Sequence, residues 1–221
     1  MTQFQKTPYG SVANIYDGFL TLTGFKRGVE SFFDRVDFKL PNNAKILDAG
    51  CGTGLLTIYL ARRFPTARIV ATDVDEKMLG ELTRLRNDAG FTPEHIAIGV
   101  SDLTTPAEMT PLGGRTTIAI PELSLDAVMV SGALEHVALD ETIKRLVKLL
   151  KPGGLFFNLG VRKNPAVAVL GMVYHFRPYS IAELRRACAR AGLDDIRAIP
   201  LRVEDFPANL SRVGVIARKP S

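Results

Sequence analysis

The sequence predicts an α/β fold, a mostly parallel sheet of seven strands with helices on both faces and a helical cap ahead of it. Three observations carry this expectation. From Lys45 onward, short apolar runs alternate with helical patterns, as in βαβ units. Gly90, Gly153 and Gly192 each follow a helical run at the end where a left-handed residue closes it. One apolar strand also runs straight into a glycine-rich turn that opens the next helix.

Taken in order, residues 11–38 carry apolar side chains at helical spacing. Val12, Ile15, Tyr16, Phe19 and Leu20 form the first run, and Val29, Phe32, Phe33 and Val36 the second, which predicts one or two helices. Strands are expected at 45–48, 68–73, 95–100, 125–131, 155–159, 196–201 and 213–218. Helices are expected at 54–64, 76–89, 141–150 and 181–191. Between 103 and 124 the pattern is broken by Pro106, Pro111, Gly113, Gly114 and Pro121, which predicts a loop with room for a short helix or an extra strand. Residues 1–221 are expected to form one domain: a cap over 1–40, a core over 41–160, and a C-terminal part over 161–221 with the last strands and a substrate-side segment.

The formal net charge of +5 is unevenly spread. Residues 1–160 hold 17 Lys/Arg against 18 Asp/Glu, and residues 161–221 hold 11 against 5. The basic tail reads either as a solvated face or as a surface for an anionic substrate. No stretch interleaves aromatic and basic residues as a base-stacking platform would, so nucleic acid is not an expected partner. The two cysteines, Cys51 and Cys188, have neither metal-ligand nor disulfide spacing, and residues 1–12 lack the apolar run of a signal peptide. A cytoplasmic location is the expectation. The longest apolar stretch, residues 165–176, is shorter than the roughly 20 residues that span a bilayer. No Asp/Glu/His cluster has the spacing of a divalent-ion site, so no metal is expected.

The strand Ile46-Leu47-Asp48 leads into Ala49-Gly50-Cys51-Gly52-Thr53-Gly54 and then into an apolar-periodic helix. Glycine at 50 and 52 lets the backbone turn sharply beside a ligand, and the amides of a new helix favour a negative group. Further along, the strand 68–73 ends in Asp73, placed to accept both hydroxyls of a ribose. Together these point to a nucleoside-bearing cofactor. The dinucleotide fingerprint wants a third glycine at position 55, where this chain has Leu55. Asp48 would repel a diphosphate but suits a ligand with an ammonium and a sulfonium, as in S-adenosylmethionine.

Ile46 to Gly54 resembles motif I of the class I, Rossmann-like S-adenosylmethionine-dependent methyltransferases almost residue for residue. Residues 71–79, 99–103 and 125–137 resemble the ends of that family's second, third and fourth strands, and Leu149 to Gly154 its turn into the fifth. The resemblance implies that Gly50 and Gly52 approach the methionine part, that Cys51 and Gly54 belong to the same cofactor-binding loop, and that Asp48 helps hold the amino group. It implies that Asp73 takes the ribose hydroxyls and that Asp102, beside Ser101, faces the adenine amine. Val74 and Leu103 would sandwich the ring, Ser131 would touch the methionine part, and Tyr16 matches an N-terminal aromatic that closes over it.

Two residues have rival readings from position alone. Asp73 could be a helix N-cap, although Asp75 is the better one, and Asp102 could be a turn residue. Cys51 has no base beside it and reads as a small filler. Methyl transfer is an in-line displacement in which alignment can supply most of the acceleration, so a base matters only if the acceptor must lose a proton. His136, after the fourth strand, is the candidate base, with packing beside the cofactor as its equal alternative. His95 starts a strand on the opposite edge. His175 lies among Val169, Leu170, Met172, Val173, Tyr174 and Phe176, a segment that either lines an acceptor pocket or packs on the sheet edge.

The expectation is methyl transfer to oxygen, nitrogen or carbon of a small acceptor, apolar or amphipathic. The rivals are an RNA or protein methyltransferase, a non-catalytic binding protein of the same fold, and a nicotinamide oxidoreductase.

Overall fold

The structure, a computed structural model, describes residues 24–162 and 177–221. Its sheet is built from β1 (Lys45–Ala49), β2 (Arg68–Asp73), β3 (Ile96–Val100), β4 (Glu108–Pro111), β5 (Ile118–Ala119), β6 (Leu125–Ser131), β7 (Leu150–Val161), β8 (Asp194–Pro200) and β9 (Arg212–Arg218). The helices are α1 (Phe25–Arg35), α2 (Leu55–Arg63), α3 (Glu76–Asp88), α4 (Leu139–Leu149) and α5 (Ile181–Arg190).

The spatial order is β5-β4-β3-β2-β1-β6-β7-β9-β8. The five central strands pair in parallel, whereas β4, β5, β8 and β9 join through antiparallel pairings. The sheet therefore has nine strands where the sequence predicts seven. The two additions, β4 and β5, come from the 103–124 region and are four and two residues long. Such short strands form because the edge of β3 offers unpaired backbone groups, a tertiary cause that leaves no period in the sequence. The fifth expected strand also grows, from 155–159 to Leu150–Val161, because α4 ends at Leu149 and pairing with β6 begins at once, at Leu125↔Leu150. The second helical run expected ahead of the sheet appears as α1, and the first lies outside the described residues.

Apolar side chains of α1, α2 and α3 cover one face of the sheet, and those of α4 and α5 the other. On the first face Phe33 meets Tyr59, Phe157 and Phe38 with ring centroids 5.1, 5.9 and 6.4 Å apart. Local chemistry sets the helix ends. Asp75 Oδ1 accepts from the Lys77 amide at 2.9 Å to start α3, and Ser180 with Glu183 forms a capping box at α5. Lys219 Nζ donates to the carbonyls of Val147 and Leu150, 3.0 and 2.8 Å away, where α4 gives way to β7.

One polar network ties the C-terminal connection to the first helix. Asp205, fully buried, accepts from the guanidinium of Arg35 through both oxygens, from Ser31 Oγ at 2.9 Å and from the Arg202 amide at 2.7 Å. Burial alone would raise its pKa, but Arg35, the Arg202 amide and Ser31 outweigh it and hold the carboxyl below its ordinary value. Asp205→Ala is expected to cost about 3 kcal/mol in denaturant unfolding, since it strands part of a buried ion pair. Because the folded pKa is depressed, this contribution is present at neutral pH and lost as pH falls below the unfolded carboxylate value of about 4.

Candidate cofactor and active site

The strand order reverses at β1. The crossover after it leads to β2 on one side, and β6 comes in later on the other, so the carboxyl ends of β1 and β6 flank the crevice where ligands of open α/β sheets bind. The loops leaving those two strands touch. Gly50 has φ +71°, and a Cβ added to it would lie 2.4 Å from Ala133 Cβ. The amides of Gly50 and Cys51 both donate to the Thr72 carbonyl, at 2.8 and 2.9 Å, bending the loop onto the end of β2.

Gly52 differs from its neighbours. Its amide donates to Asp73 Oδ2 at 2.9 Å, and no heavy atom stands within 4 Å of where its Cβ would be. That is open space beside a carboxylate. Gly54 faces the other way: with φ +89°, its Cβ would lie 2.1 Å from Leu82 Cδ1. Its need for glycine comes from seating α2 against α3.

Asp73 is half-buried at the carboxyl end of β2. Its Oδ1 accepts from the Asp75 amide at 3.0 Å, and the N-cap of α3 is Asp75 itself. Burial raises the Asp73 pKa against the opposing amides of Asp75, Gly52 and Val74. The Ser101 amide donates to the Asp73 carbonyl at 3.1 Å, which aligns the ends of β2 and β3. Val74 is 45% exposed, a large apolar side chain facing solvent directly after Asp73. Leu103 is partly buried against the core on the α4 side. Asp102 is exposed, and its Oδ1 accepts from both the amide and the hydroxyl of Thr104 at 2.7 Å, the hydrogen bonding of a turn residue.

Asp48 is fully buried. Its Oδ2 accepts from Thr57 Oγ1 at 2.5 Å, while Oδ1 meets no hydrogen-bond partner among the described residues. Burial first, then the charge of Asp73, pushes its pKa up to about 7 against the Thr57 hydrogen bonds. Cys51 is buried next to both carboxylates, and burial, Asp48 and Asp73 all raise its thiol well above the ordinary value. It stays a neutral thiol, which removes nucleophilic chemistry from the loop.

Beyond β6, Ser131 is half-buried, and residues 134–136 form a 3-10 turn that carries Glu135 and His136. Burial lowers the His136 pKa, with Glu135 and Asp73 opposing, so its ring is neutral at pH 7. His95 lies elsewhere, its ring 5.0 Å from that of Phe91 in an edge arrangement. Tyr16, Tyr174, His175 and Phe176 lie outside the described residues.

Three polar residues near this crevice escape sequence reasoning. Glu135 is 5% exposed, with Oε1 accepting from the Val161 amide at 2.5 Å and Oε2 unpartnered. Asn158, on β7, is 1% exposed, and neither of its amide atoms has a partner. Arg212, the first residue of β9, buries an unpartnered Nη1. With Asp48 Oδ1, these account for five of the seven buried unpartnered polar side-chain atoms found among the described residues. Of the three, Asn158 left a signal, a polar side chain inside the apolar run 155–159. Among the described residues no group of three His, Cys, Asp or Glu could hold a metal, and no helix is long and apolar enough to cross a membrane.

Comparison with known proteins bears on this site. Residues 47–156, about half of the chain, match the family model described as "Methyltransferase domain". The chain is 34% identical over 119 residues to trans-aconitate 2-methyltransferase of Variovorax paradoxus, covering 52% of this chain and 38% of that protein. It is 33% identical over 136 residues to a ubiquinone biosynthesis O-methyltransferase of Xanthomonas axonopodis pv. citri, covering 60% and 49%. The chain thus spans less than half the length of these relatives. Among solved structures, the fold is similar to the putative methyltransferase complexed with the Trm112 methyltransferase activator of Haloferax volcanii, with a TM-score of 0.73, 16% identity, and 98% and 99% of the two chains covered. It is also similar to a SAM dependent methyltransferase of Aquifex aeolicus, with a TM-score of 0.64, 18% identity, and 95% and 97% covered.

Proposed function

The chain belongs to the class I S-adenosylmethionine-dependent methyltransferases, and from that premise we propose that it transfers the methyl group of S-adenosylmethionine to a small molecule. The carrying observation is the open space over Gly52 next to the Asp73 carboxylate. The residues fit the donor: Asp73 has lone pairs left for two ribose hydroxyls, and the unpartnered Asp48 Oδ1 suits its ammonium. Exposed Val74 and half-buried Leu103 would hold the adenine faces, with Ser101 and Asp102 at its edge. Gly50 and Ser131 border the methionine side, and Tyr16 is assigned to close over it.

When bound, the donor supplies a methyl group already activated by its sulfonium, so the protein's task is alignment and exclusion of water. His136 serves as the base for an acceptor that loses a proton, and its burial keeps the ring ready to take one. The segment 161–179, with His175, is assigned to the acceptor side. The small-molecule reading draws support from relatives named for trans-aconitate and for ubiquinone biosynthesis. Both cysteines are free and buried, which suits a cytoplasmic setting.

For an acceptor that carries a proton on the atom methylated, with a phenol the first to try, His136→Gln is expected to lower kcat about 100-fold. The Kd for S-adenosylhomocysteine, measured by calorimetry, stays within twofold. The acid limb of the wild-type pH profile falls below the ordinary histidine value of about 6.5. An unchanged kcat would leave His136 a packing residue and alignment the whole of the chemistry.

A further inference from the structure

Arg212 gives the acceptor a chemical class. Its strand position, opposite Val161 at the end of β7, brings its guanidinium to the exit of β6. Nη1 lies 3.3 Å from where a Cβ of Gly132 would stand, and the next residue, Ala133, abuts Gly50 of the glycine loop. The cation therefore sits one residue from the contact between the two loops that frame the crevice.

Nothing described neutralises it. The guanidinium carbon is 5.3 Å from the ring centroid of Phe25, Nη1 is buried without a hydrogen-bond partner, and no ion pair among the described residues includes Arg212. Arg212 is half-buried; guanidinium groups stay charged in proteins, and burying one of their nitrogens without a hydrogen-bond partner is costly. A contact with one aromatic face, on the order of 1 kcal/mol, does not replace the lost hydration. A ligand oxyanion would.

We propose that Arg212 anchors a carboxylate on the methyl acceptor. This rests on the methyltransferase reading above and narrows it to acceptors with an anionic head. The planar fork of a guanidinium matches a carboxylate through two parallel hydrogen bonds. A single cation also balances a single negative charge. A phosphate dianion would bring a second charge towards Glu135, which is bound to the amide of Val161, the strand partner of Arg212. The uneven basic charge of residues 161–221 acquires a definite role at this one position.

The test uses protein saturated with S-adenosylhomocysteine and titrated with benzoate and octanoate, with benzamide and octanamide in parallel, and with inorganic phosphate. Binding is read by ligand-observed NMR. At least one carboxylate should bind tenfold or more tightly than its amide, and tighter than phosphate. Arg212→Gln should erase that preference while the Kd for S-adenosylhomocysteine stays within twofold, and Arg212→Lys should keep part of it. Equal binding of acids and amides by wild type, no carboxylate binding, tighter phosphate binding, or a preference that survives Arg212→Gln each overturns the proposal. The wild-type arm decides even if the variants fail to fold. Should S-adenosylhomocysteine itself not bind, the methyltransferase reading fails separately, and the same titrations of the protein alone still judge Arg212.

Discussion

Asp73→Ala is expected to weaken S-adenosylhomocysteine binding about a thousandfold, measured by calorimetry. Hydrogen bonds to a charged group contribute about 1.5–3 kcal/mol each, so losing two ribose hydroxyl contacts costs about 4 kcal/mol. The variant also frees the amides of Gly52 and Asp75, which now converge on the two carboxylate oxygens. Asp73→Asn keeps one acceptor oxygen and loses the charge, so its affinity should fall between the wild type and the alanine variant. Asp102→Ala, at an exposed position bound to Thr104, should cost less than tenfold. Binding by Asp73→Ala within threefold of wild type, with the fold intact by circular dichroism, would remove Asp73 from the ribose.

The second large effect is a pH dependence centred on Asp48. Its carboxyl titrates at about 7 in the folded protein without ligand, against about 4 unfolded. The folded state therefore holds a proton that the unfolded state has released, and stability falls as pH rises between those values. The loss amounts to roughly 4 kcal/mol by pH 8. Asp48→Asn, which is neutral at every pH, should be the more stable protein at pH 8 and lose that advantage at pH 5. An ammonium beside Oδ1 reverses the balance, because it favours the ionised carboxylate. Ligand affinity should then rise from pH 6 to pH 8, with proton release visible as buffer-dependent heats. A flat profile for both stability and affinity would mean that Asp48 meets neither condition.

Much of the core could be read from residue order because buried parallel strands are continuous apolar runs, as 46–47 and 69–71 show. Asp73 and the glycine loop were equally legible, since spacing along the chain becomes spacing across the β1–β2 register. The packing of Gly54 was not legible: its neighbour is Leu82, which no local pattern names. Pairings across long stretches of sequence were invisible for the same reason. Arg35 finds Asp205 across 170 residues, and Arg212 meets Phe25 only because β9 runs beside β7 over α1. Strands β4 and β5 depend on an edge that exists only after β3 has joined the sheet. The unpartnered atoms of Glu135 and Asn158 likewise become informative only once burial is known.

Asp48, Gly52 and Asp73 are expected to hold the amino-acid-bearing nucleoside of the methyl donor rather than a dinucleotide. Calorimetry with S-adenosylhomocysteine and NADH on the same protein tests it most directly. The expected result is saturable, micromolar binding of S-adenosylhomocysteine, equivalent to about 8 kcal/mol, and at least a hundredfold weaker binding of NADH. Tighter binding of NADH would contradict it.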